Sequence, residues 1–336
     1  MPSKNKKPIV SPKEHHDLIL NVVRKKFENH QATSHILSFY TKQIDNLLCK
    51  IWPENINASL YAIAGYGRKA LFPAADLDIL IITNPDISKD QKNKIKIFLQ
   101  KLWDYQLKVS QRVLTTSELK EDLITDQTFY TSLLDARLLI GNKYNLITSQ
   151  IRKNWGDNFF LIKTNERNKR LEKHYHTLEP DIKHTKGGLR DIHLLRWLAQ
   201  HFYHGKKISY LAEKNIITEE ELGKIKSARK TLNQVRLGLH LLTPPSDRLL
   251  FENQLKLAKI IIPNKSGSKQ NNNFQVEALM KQIYQAISDI KWVTQTVLTH
   301  HASMYDKNFK HDYYLEAKSL TQAKLLKLSP DETWIL

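Results

Sequence analysis

Two apolar runs joined by a glycine-containing segment constrain the fold of this chain more than any other feature. The first run covers residues 60–64 and stops at Gly65, and the second contains Asp76 and Asp78 and continues through residue 83. Short apolar runs bounded by turn residues are typical of buried β-strands. The sequence therefore predicts a strand, a glycine turn and a second strand that begins with an Asp-x-Asp pair.

The Asp-x-Asp pair indicates a metal-dependent reaction on phosphates. Side chains two apart in a strand share one face and lie about 6 to 7 Å apart along it, so Asp76 and Asp78 would project together. Mg²⁺ usually binds one or two carboxylates together with substrate phosphates. Gly65 and Gly67 would let backbone N–H groups approach a triphosphate, and Arg68 adds positive charge beside them. Either motif alone is more often a solvated turn, but carboxylates beside an apolar strand are costly unless compensated. The combination favours nucleotidyl transfer.

Composition narrows the class of protein and of partner. The 336 residues, 41% of them hydrophobic, allow two domains with a sizeable core, and the formal net charge of +18 suits polyanionic ligands. The basic N-terminus is followed by no apolar segment of the signal-peptide type, and no run approaches the roughly 20 apolar residues of a membrane span. We therefore expect a cytoplasmic protein without a membrane partner. The single cysteine, Cys49, excludes an intrachain disulfide and is predicted to pack in the core.

The rest of the chain is predicted to be mainly helical. Residues 13–50 have helical periodicity, and residues 88–107 form an amphipathic helix that Ser88 can cap. Residues 108–114 are predicted to form a third strand, which lacks the third acidic residue that many nucleotidyltransferases carry there. Helical periodicity continues over residues 129–140 until Gly141 stops it. From about residue 150 onward the pattern predicts helices almost throughout.

Several stretches together resemble one family, the bacterial PII uridylyltransferase/uridylyl-removing enzymes. They occur in the family's order and at about its spacing, over roughly residues 55–300. They are Gly65-Tyr66-Gly67-Arg68 with Asp76-Leu77-Asp78, then Ala136-Arg137-Leu138-Leu139-Ile140-Gly141, then Lys186-Gly187-Gly188-Leu189-Arg190-Asp191, and finally Arg248-Leu249-Leu250-Phe251 with Gln254.

The resemblance implies an α+β fold in which a nucleotidyltransferase-fold mixed sheet with helices is followed by an all-helical domain. It divides the chain into an N-terminal helical segment (residues 1–50), a nucleotidyltransferase catalytic domain (51–145), the family's helical domain (146–305) and a C-terminal tail (306–336). In the family, an HD domain that removes the nucleotide and glutamine-sensing ACT domains follow the helical region. The length of this chain leads us to expect neither of those domains here.

The reaction that the resemblance implies moves UMP from UTP to a tyrosine of the PII nitrogen-regulatory protein and releases pyrophosphate. UTP and the PII signal protein are the expected partners, and Mg²⁺ is the expected cofactor. By the motif, Asp76 and Asp78 hold Mg²⁺ and act in catalysis. Gly65 and Gly67 cradle the phosphates, and Arg68 assists through them, with an ordinary surface arginine as the alternative for Arg68.

The stretch at residues 186–191 has two interpretations. In the functional one, Arg190 leans over the nucleotide from the helical domain and Lys186 touches phosphate. In the structural one, Arg190 and Asp191 make interdomain salt bridges, and Gly187-Gly188 is a tight helix junction.

Two departures from the family pattern motivate competing hypotheses. The family usually has glycine where this chain has Ala64, and its third strand contains Gly-His-Ser-Val-Arg, so that Gln111 replaces a histidine and Leu114 an arginine. The alternative to an enzyme is therefore a catalytically degenerate nucleotide-binding or regulatory module of the same fold. A third hypothesis, nucleotidyl transfer to RNA, is motivated only by the net charge of +18. Since the sequence contains no RNA-recognition signature, we expect no nucleic-acid partner.

Overall fold

The computed structural model describes residues 11–172, 179–205, 207–262 and 272–305, together with two short strands near the C-terminus. Within that part the protein has the predicted α+β fold, a mixed sheet accompanied and followed by helices. Residues 1–10 and 263–271, and the predicted tail (306–336) apart from those two strands, lie outside the described residues.

The elements alternate through the first half of the chain and are helical in the second. The helices are α1 (Pro12–Glu28), α2 (Thr33–Ile51), α3 (Ala64–Gly67), α4 (Lys89–Asp104), α5 (Thr116–Thr125), α6 (Gln127–Leu133), α7 (Ser149–Trp155), α8 (Asn158–Glu172), α9 (Leu189–Phe202), α10 (Ser209–Glu213), α11 (Glu219–His240), α12 (Phe251–Ile261) and α13 (Asn272–Tyr305). The strands are β1 (Ala58–Ala62), β2 (Leu77–Thr83), β3 (Val109–Thr115), β4 (Arg137–Ile140), β5 (Lys327–Leu328) and β6 (Trp334–Ile335).

The main sheet has the strand order β3-β2-β1-β4. β1 is antiparallel to both β2 and β4, whereas β2 and β3 are parallel and place Ser110 beside Asp78. The three predicted strands are confirmed. The predicted helix over residues 129–140 is wrong in its second half, since α6 ends at Leu133 and β4 pairs with β1. A run of only four apolar residues does not distinguish a strand from a helix by periodicity.

Both faces of β2 are buried, which explains why its sequence is continuously apolar. Ile79 and Ile81 pack into one core, formed with α1, α2 and α4. Leu80 and Ile82 pack into the other core, which extends through the helical region. Since Asp78 shares a face with Leu80, its carboxylate is directed to the side of the helical region.

Helices α1 and α2 belong to the first of these cores rather than standing apart from the sheet. α1 begins with a capping box in which Ser11 and Glu14 satisfy each other's backbone N–H groups. Leu47 and Leu48 of α2 are buried, but Cys49 is exposed, so the prediction that Cys49 packs in the core is wrong. Among the helices of the described residues, none combines the length and the hydrophobicity needed to cross a membrane.

Candidate active site

A cavity of about 520 Å³ lies where β2 and α3 meet the helical region. Its charged lining contains many more cations than anions, as expected for a site that takes a polyanion. The lining cations are Arg68, Lys69, Lys163, Lys183, Arg190, Arg196, Arg229 and Arg236, and the lining carboxylates are Asp76, Asp78 and Glu166.

The predicted carboxylate pair is present at this cavity. Leu77, between the two aspartates, is buried in the core, while Asp76 is exposed and Asp78 is partly buried. Burial, together with the charge of Asp76, raises the pKa of Asp78 to about 6, against the opposing effects of a hydrogen bond with Ser110 and the nearby cation Arg68. The two carboxylates therefore repel each other, and a divalent cation between them would relieve that repulsion.

The donor set fits Mg²⁺. Within the described residues, no group of three or more His, Cys, Asp or Glu side chains could hold a metal, so Asp76 and Asp78 supply only part of a ligand shell. Mg²⁺ commonly has such a shell, because it keeps waters and substrate phosphates as its other ligands.

The glycine segment forms the single turn of α3, and its two glycines have different surroundings. Gly65 lines the cavity, and a Cβ at this position would meet nothing nearer than the Arg68 guanidinium, 3.7 Å away. Gly67 is buried, and a Cβ there would collide with the carbonyl oxygen of Asp135. Gly67 is thus required for packing. Of the two residues, only Gly65 is among those that line the cavity, and the predicted phosphate contact of Gly67 stays a prediction.

Arg68 is held in the cavity wall by buried partners. Its Nη1 donates to Oδ2 of Asp135 at 2.9 Å, and its Nη2 lies 3.3 Å from Nε2 of His193. Arg196 donates to the other carboxylate oxygen of Asp135 at 2.7 Å. Burial and the surrounding arginine and lysine side chains hold the pKa of His193 well below its usual value, so that its ring is neutral and accepts from Arg68. The alternative of an unconstrained surface arginine does not describe Arg68.

Arg190 and Asp191 are adjacent on the first turn of α9, but their side chains have separate roles. Arg190 lines the cavity, and its side chain makes no hydrogen bond or ion pair with any described residue. Asp191 is fully buried and accepts from Arg167 at 2.9 and 3.0 Å, from Arg170 at 3.0 Å and from the backbone N–H of Gly187 at 2.9 Å. The functional interpretation therefore suits Arg190. Asp191 does make buried salt bridges, but Arg167 and Arg170 belong to α8 of the same helical region, so the predicted interdomain pairing is wrong.

Lys186 is not among the described residues that line the cavity. Burial, and secondarily the charge of Lys291 on α13, lowers its pKa to about 8. The next residue, Gly187, has a φ of +80° and packs so closely on α13 that a Cβ would collide with the carbonyl oxygen of Ile287. This is the tight junction of the structural interpretation. The predicted phosphate contact of Lys186 stays a prediction, and Lys183 lines the cavity from the same segment.

Sequence reasoning missed most of the cavity's cations. Lys183, Arg196 and Arg236 were not among the predicted site residues, although all three line the cavity. Arg236 is only 8% exposed at its side chain and lies over the ring of Phe72 at 4.2 Å. The sequence did contain a signal for Arg236, because this residue lies among the buried positions of α11. Arginine is seldom buried without a specific partner.

The altered third strand contributes one residue to the site. Ser110 interacts with Asp78, whereas Arg112 binds Asp122 and Asp126 beside β3. Leu114, which stands where the family has arginine, packs against the core of the helical region. Nothing in the described part of β3 supplies a third carboxylate to the pair.

Comparisons with known proteins agree with the resemblance seen in the sequence. Residues 158–298 match the family model for the GlnD PII-uridylyltransferase. The chain is similar to bifunctional uridylyltransferase/uridylyl-removing enzymes from several bacteria. The one from Haemophilus influenzae (strain PittEE) is 34% identical over 76% of this chain and 31% of its own length. Those from Pasteurella multocida (strain Pm70) and Acinetobacter baumannii (strain ATCC 17978) are each 32% identical, over 88% and 82% of this chain and over 34% and 32% of their own lengths.

The chain thus spans about a third of the length of the relatives that it matches. The similarity covers both the sheet region and the helical region of the fold, since 88% of the chain is included in the longest of these matches.

Proposed function

Because the chain belongs to the PII uridylyltransferase family over the region that it shares with these enzymes, we propose that it is a nucleotidyltransferase that moves UMP from UTP to a tyrosine of a PII protein. The observation that carries this proposal is the cavity in which Asp76 and Asp78 face a cluster of arginines and lysines. A nucleoside triphosphate with a divalent cation has the complementary charges.

The cationic residues have distinct tasks in the proposed reaction. The Arg190 side chain has no hydrogen-bond or ion-pair partner among the described residues and is therefore available for phosphate oxygens, to which a guanidinium can donate two parallel hydrogen bonds. Arg68 is already held by Asp135 and His193, so little reorganisation is needed when charge develops on the phosphates. Gly65 lets the backbone approach the nucleotide, because it presents no side chain to the cavity.

Asp76 and Asp78 would hold Mg²⁺, which when bound neutralises phosphate charge. In the transfer itself, the tyrosine hydroxyl gives up its proton to solvent, its oxygen forms a bond to the α-phosphorus, and the bond from that phosphorus to pyrophosphate breaks. The protein's part is to align these groups and to balance the negative charge of the pyrophosphate, for which Arg190, Arg236 and Lys183 are suitably placed.

Two observations favour a second candidate, a module that binds the nucleotide without turnover. Ala64 has a φ of +48°, a conformation that suits the glycine usual in the family, and it lines the cavity. The third strand also carries Gln111 and Leu114 at the positions where the family has histidine and arginine.

The deciding experiment follows label from UTP labelled at the α-phosphate to purified PII protein in the presence of Mg²⁺. Transfer is expected with the wild-type chain and is expected to be lost in Asp76→Asn/Asp78→Asn. It is expected to persist in Asp86→Asn, which removes an exposed carboxylate outside the cavity. A PII protein whose acceptor tyrosine is replaced by phenylalanine checks the site of attachment.

Tight binding of Mg-UTP without transfer, alongside an active full-length control enzyme, would overturn the catalytic proposal and support the second candidate. Parallel assays with ATP, CTP and GTP test the choice of UTP.

A further inference from the structure

We propose that His240, at the end of α11, is a positioning residue that holds the segment carrying the two carboxylates in place. The inference deepens the proposed function and rests on it for its meaning in catalysis. Its central observation is a contact between the helical region and the segment just before β2, namely a hydrogen bond from the backbone N–H of Ala74 to Nδ1 of His240 at 3.0 Å. Ala74 lies two residues before Asp76.

The contact of the other ring nitrogen shows which nitrogen of His240 carries the proton. Nε2 lies 2.8 Å from Oδ1 of Asp247, a carboxylate oxygen that only accepts. Since Nδ1 accepts from Ala74, the ring proton resides on Nε2 and is donated to Asp247. Burial lowers the pKa of His240, which favours this neutral, accepting form of the ring.

Asp247 also links residues 72–74 to the cavity through Arg236. Arg236 donates from Nε to Asp247 at 2.6 Å, and its guanidinium lies 4.2 Å from the centre of the Phe72 ring. Phe72 also contacts the ring of His240, with centroids 5.6 Å apart. Phe72 is therefore held through its side chain and Ala74 through its backbone N–H. The groups that hold them are His240 and Arg236, which both bind Asp247.

The segment borders an open space at the position of this contact. A second cavity, of about 270 Å³, is lined by residues 73–75 together with His240 and Leu77. Residues 73–75 belong to no strand or helix, and they are only partly buried beside the cavity. The bond from Ala74 to His240 thus fixes the backbone where the segment borders this cavity.

The expected consequence concerns the carboxylates. Hydrogen-bonding groups that orient metal ligands typically change metal affinity by about 10- to 100-fold when they are replaced. We expect loss of the Ala74 contact to weaken binding of a divalent ion to the nucleotide-loaded chain by about 10-fold, at the lower end of that range. The expected kinetic signature is a higher requirement for Mg²⁺, with recovery of much of kcat at saturating Mg²⁺.

Two isosteric variants separate the contacts of His240. The Oδ1 atom of asparagine can occupy the place of Nδ1, so His240→Asn keeps an acceptor for Ala74 and loses the donor to Asp247. The side-chain amide of glutamine reaches the place of Nε2, so His240→Gln keeps the donor to Asp247 and loses the acceptor for Ala74. We expect Mn²⁺ affinity in the presence of UTP, followed by electron paramagnetic resonance, to fall about 10-fold in His240→Gln and less than about 3-fold in His240→Asn.

His201→Gln provides a matched control for general destabilisation. His201 is likewise buried between two partners, the Tyr130 hydroxyl at 2.8 Å and the Gly156 carbonyl at 3.0 Å, but it does not line either cavity. We expect a lower melting temperature in this variant without a change in Mn²⁺ affinity. Hydrogen exchange over residues 70–80 adds a measurement that needs no metal, and it should be faster in His240→Gln than in His240→Asn.

Equal Mn²⁺ affinity in the two His240 variants, or weaker binding in His240→Asn than in His240→Gln, would overturn the inference. If His240→Gln does not fold, His240→Leu compared with His240→Asn tests the same contact, because both lose the donor to Asp247 and only His240→Leu loses the acceptor for Ala74, so Mn²⁺ binding should be weaker in His240→Leu. Failure of the proposed function has a separate signature, because the wild-type chain would then transfer no label to PII protein whatever the His240 variants do to Mn²⁺ binding.

Discussion

At the scale of single residues, Ala64 shows how one methyl group bears on the site. Its φ of +48° places it in the left-handed region, which costs an alanine about 1 to 2 kcal/mol relative to its preferred conformations. The neighbouring Gly65 does not share this strain and has open space around its Cα. The family usually has glycine at this position. The positive φ of Ala64 is a conformation that glycine adopts more readily than alanine.

We therefore expect Ala64→Gly to stabilise the protein. The relief of strain is partly offset by the larger conformational freedom of glycine in the unfolded chain, which leaves a gain of about 0.5 to 1 kcal/mol in the free energy of unfolding. Denaturant titration measures it. As a control, Ala228→Gly in the middle of α11, where alanine suits the backbone, should cost a similar amount. A loss of stability in Ala64→Gly would contradict this account.

Asp78 gives a second residue-level prediction, for the metal-free protein. The pKa of Asp78 is raised from 3.8 to about 6, so the folded state holds the proton more tightly than the unfolded chain does. Stability is therefore greatest below the unfolded pKa and is lost as pH rises towards the folded pKa. Asp78→Asn removes the charge, and allowing for partial exposure we expect it to stabilise the protein by about 1 to 2 kcal/mol above pH 7.

The gain from Asp78→Asn should vanish near pH 4, where wild-type Asp78 is mostly protonated in the folded state. Denaturant unfolding with EDTA at pH 4 and pH 8 measures the difference. Asp86→Asn, at an exposed position outside the cavity, serves as the control and should not show this pH-dependent gain. Added Mg²⁺ should raise the melting temperature of the wild type and not of Asp78→Asn, and the opposite result would argue against a metal site.

At the scale of elements, the first turn of α9 carries a binding group and a structural group side by side. Asp191 joins α9 to α8 through Arg167 and Arg170, while Arg190 extends from the same turn into the cavity. Gly187, which donates to Asp191, makes the close approach to α13 possible. The position of Arg190 is therefore set by the packing of α9 between α8 and α13.

Substitutions of Arg190 and Arg167 should therefore affect different properties, nucleotide binding in the first case and stability in the second. Arg190→Gln should weaken nucleotide binding by about 10- to 100-fold, the equivalent of a lost charge-assisted hydrogen bond, and should change the free energy of unfolding by less than about 0.5 kcal/mol. Arg167→Gln should destabilise the protein by about 3 kcal/mol or more, because it leaves the buried Asp191 charge with fewer partners. Calorimetric titration with UTP and denaturant unfolding distinguish the two, and a large stability loss in Arg190→Gln would show that its role is structural.

At the scale of the whole molecule, the N-terminal helices and the late helices are in direct contact. Gly238 of α11 lies where a Cβ would come 2.5 Å from Cδ2 of Leu257 and 3.0 Å from Cζ of Phe27, a residue of α1. Leu237 belongs to the same core as α1, α2 and the sheet. The helical region therefore packs against the first helices of the chain and also lines the active-site cavity.

The two glycines of α11 test this contact within one helix. Gly238→Ala must displace Leu257 or Phe27 and should cost about 1 to 3 kcal/mol. At Gly223, a Cβ meets nothing within 4 Å, so Gly223→Ala should stabilise the protein by up to about 1 kcal/mol through helix propensity. Thermal unfolding of both variants measures the difference, and equal effects would show that α1 does not press on α11 as described.

The sequence by itself determined the first three strands, the carboxylate pair and the family, because each leaves a local signal. Alternation, apolar runs and glycine turns are properties of neighbouring residues, and Asp76 and Asp78 are only two positions apart. The resemblance added Arg190, and the structure places it in the cavity. The same local signals failed at β4, where four apolar residues fit a helix as well as a strand.

Only the tertiary structure decided which distant side chains meet at the site. Ala74 and His240 are 166 residues apart, and Arg68 and His193 are 125 apart, so neither pair has a periodic signature in the sequence. The separation of Arg190 from Asp191 and the burial of Gly67 against Asp135 likewise depend on which element packs on each face. Local chemistry could be read from neighbouring residues, whereas the convergence of cations on the carboxylates comes from packing between elements remote in sequence.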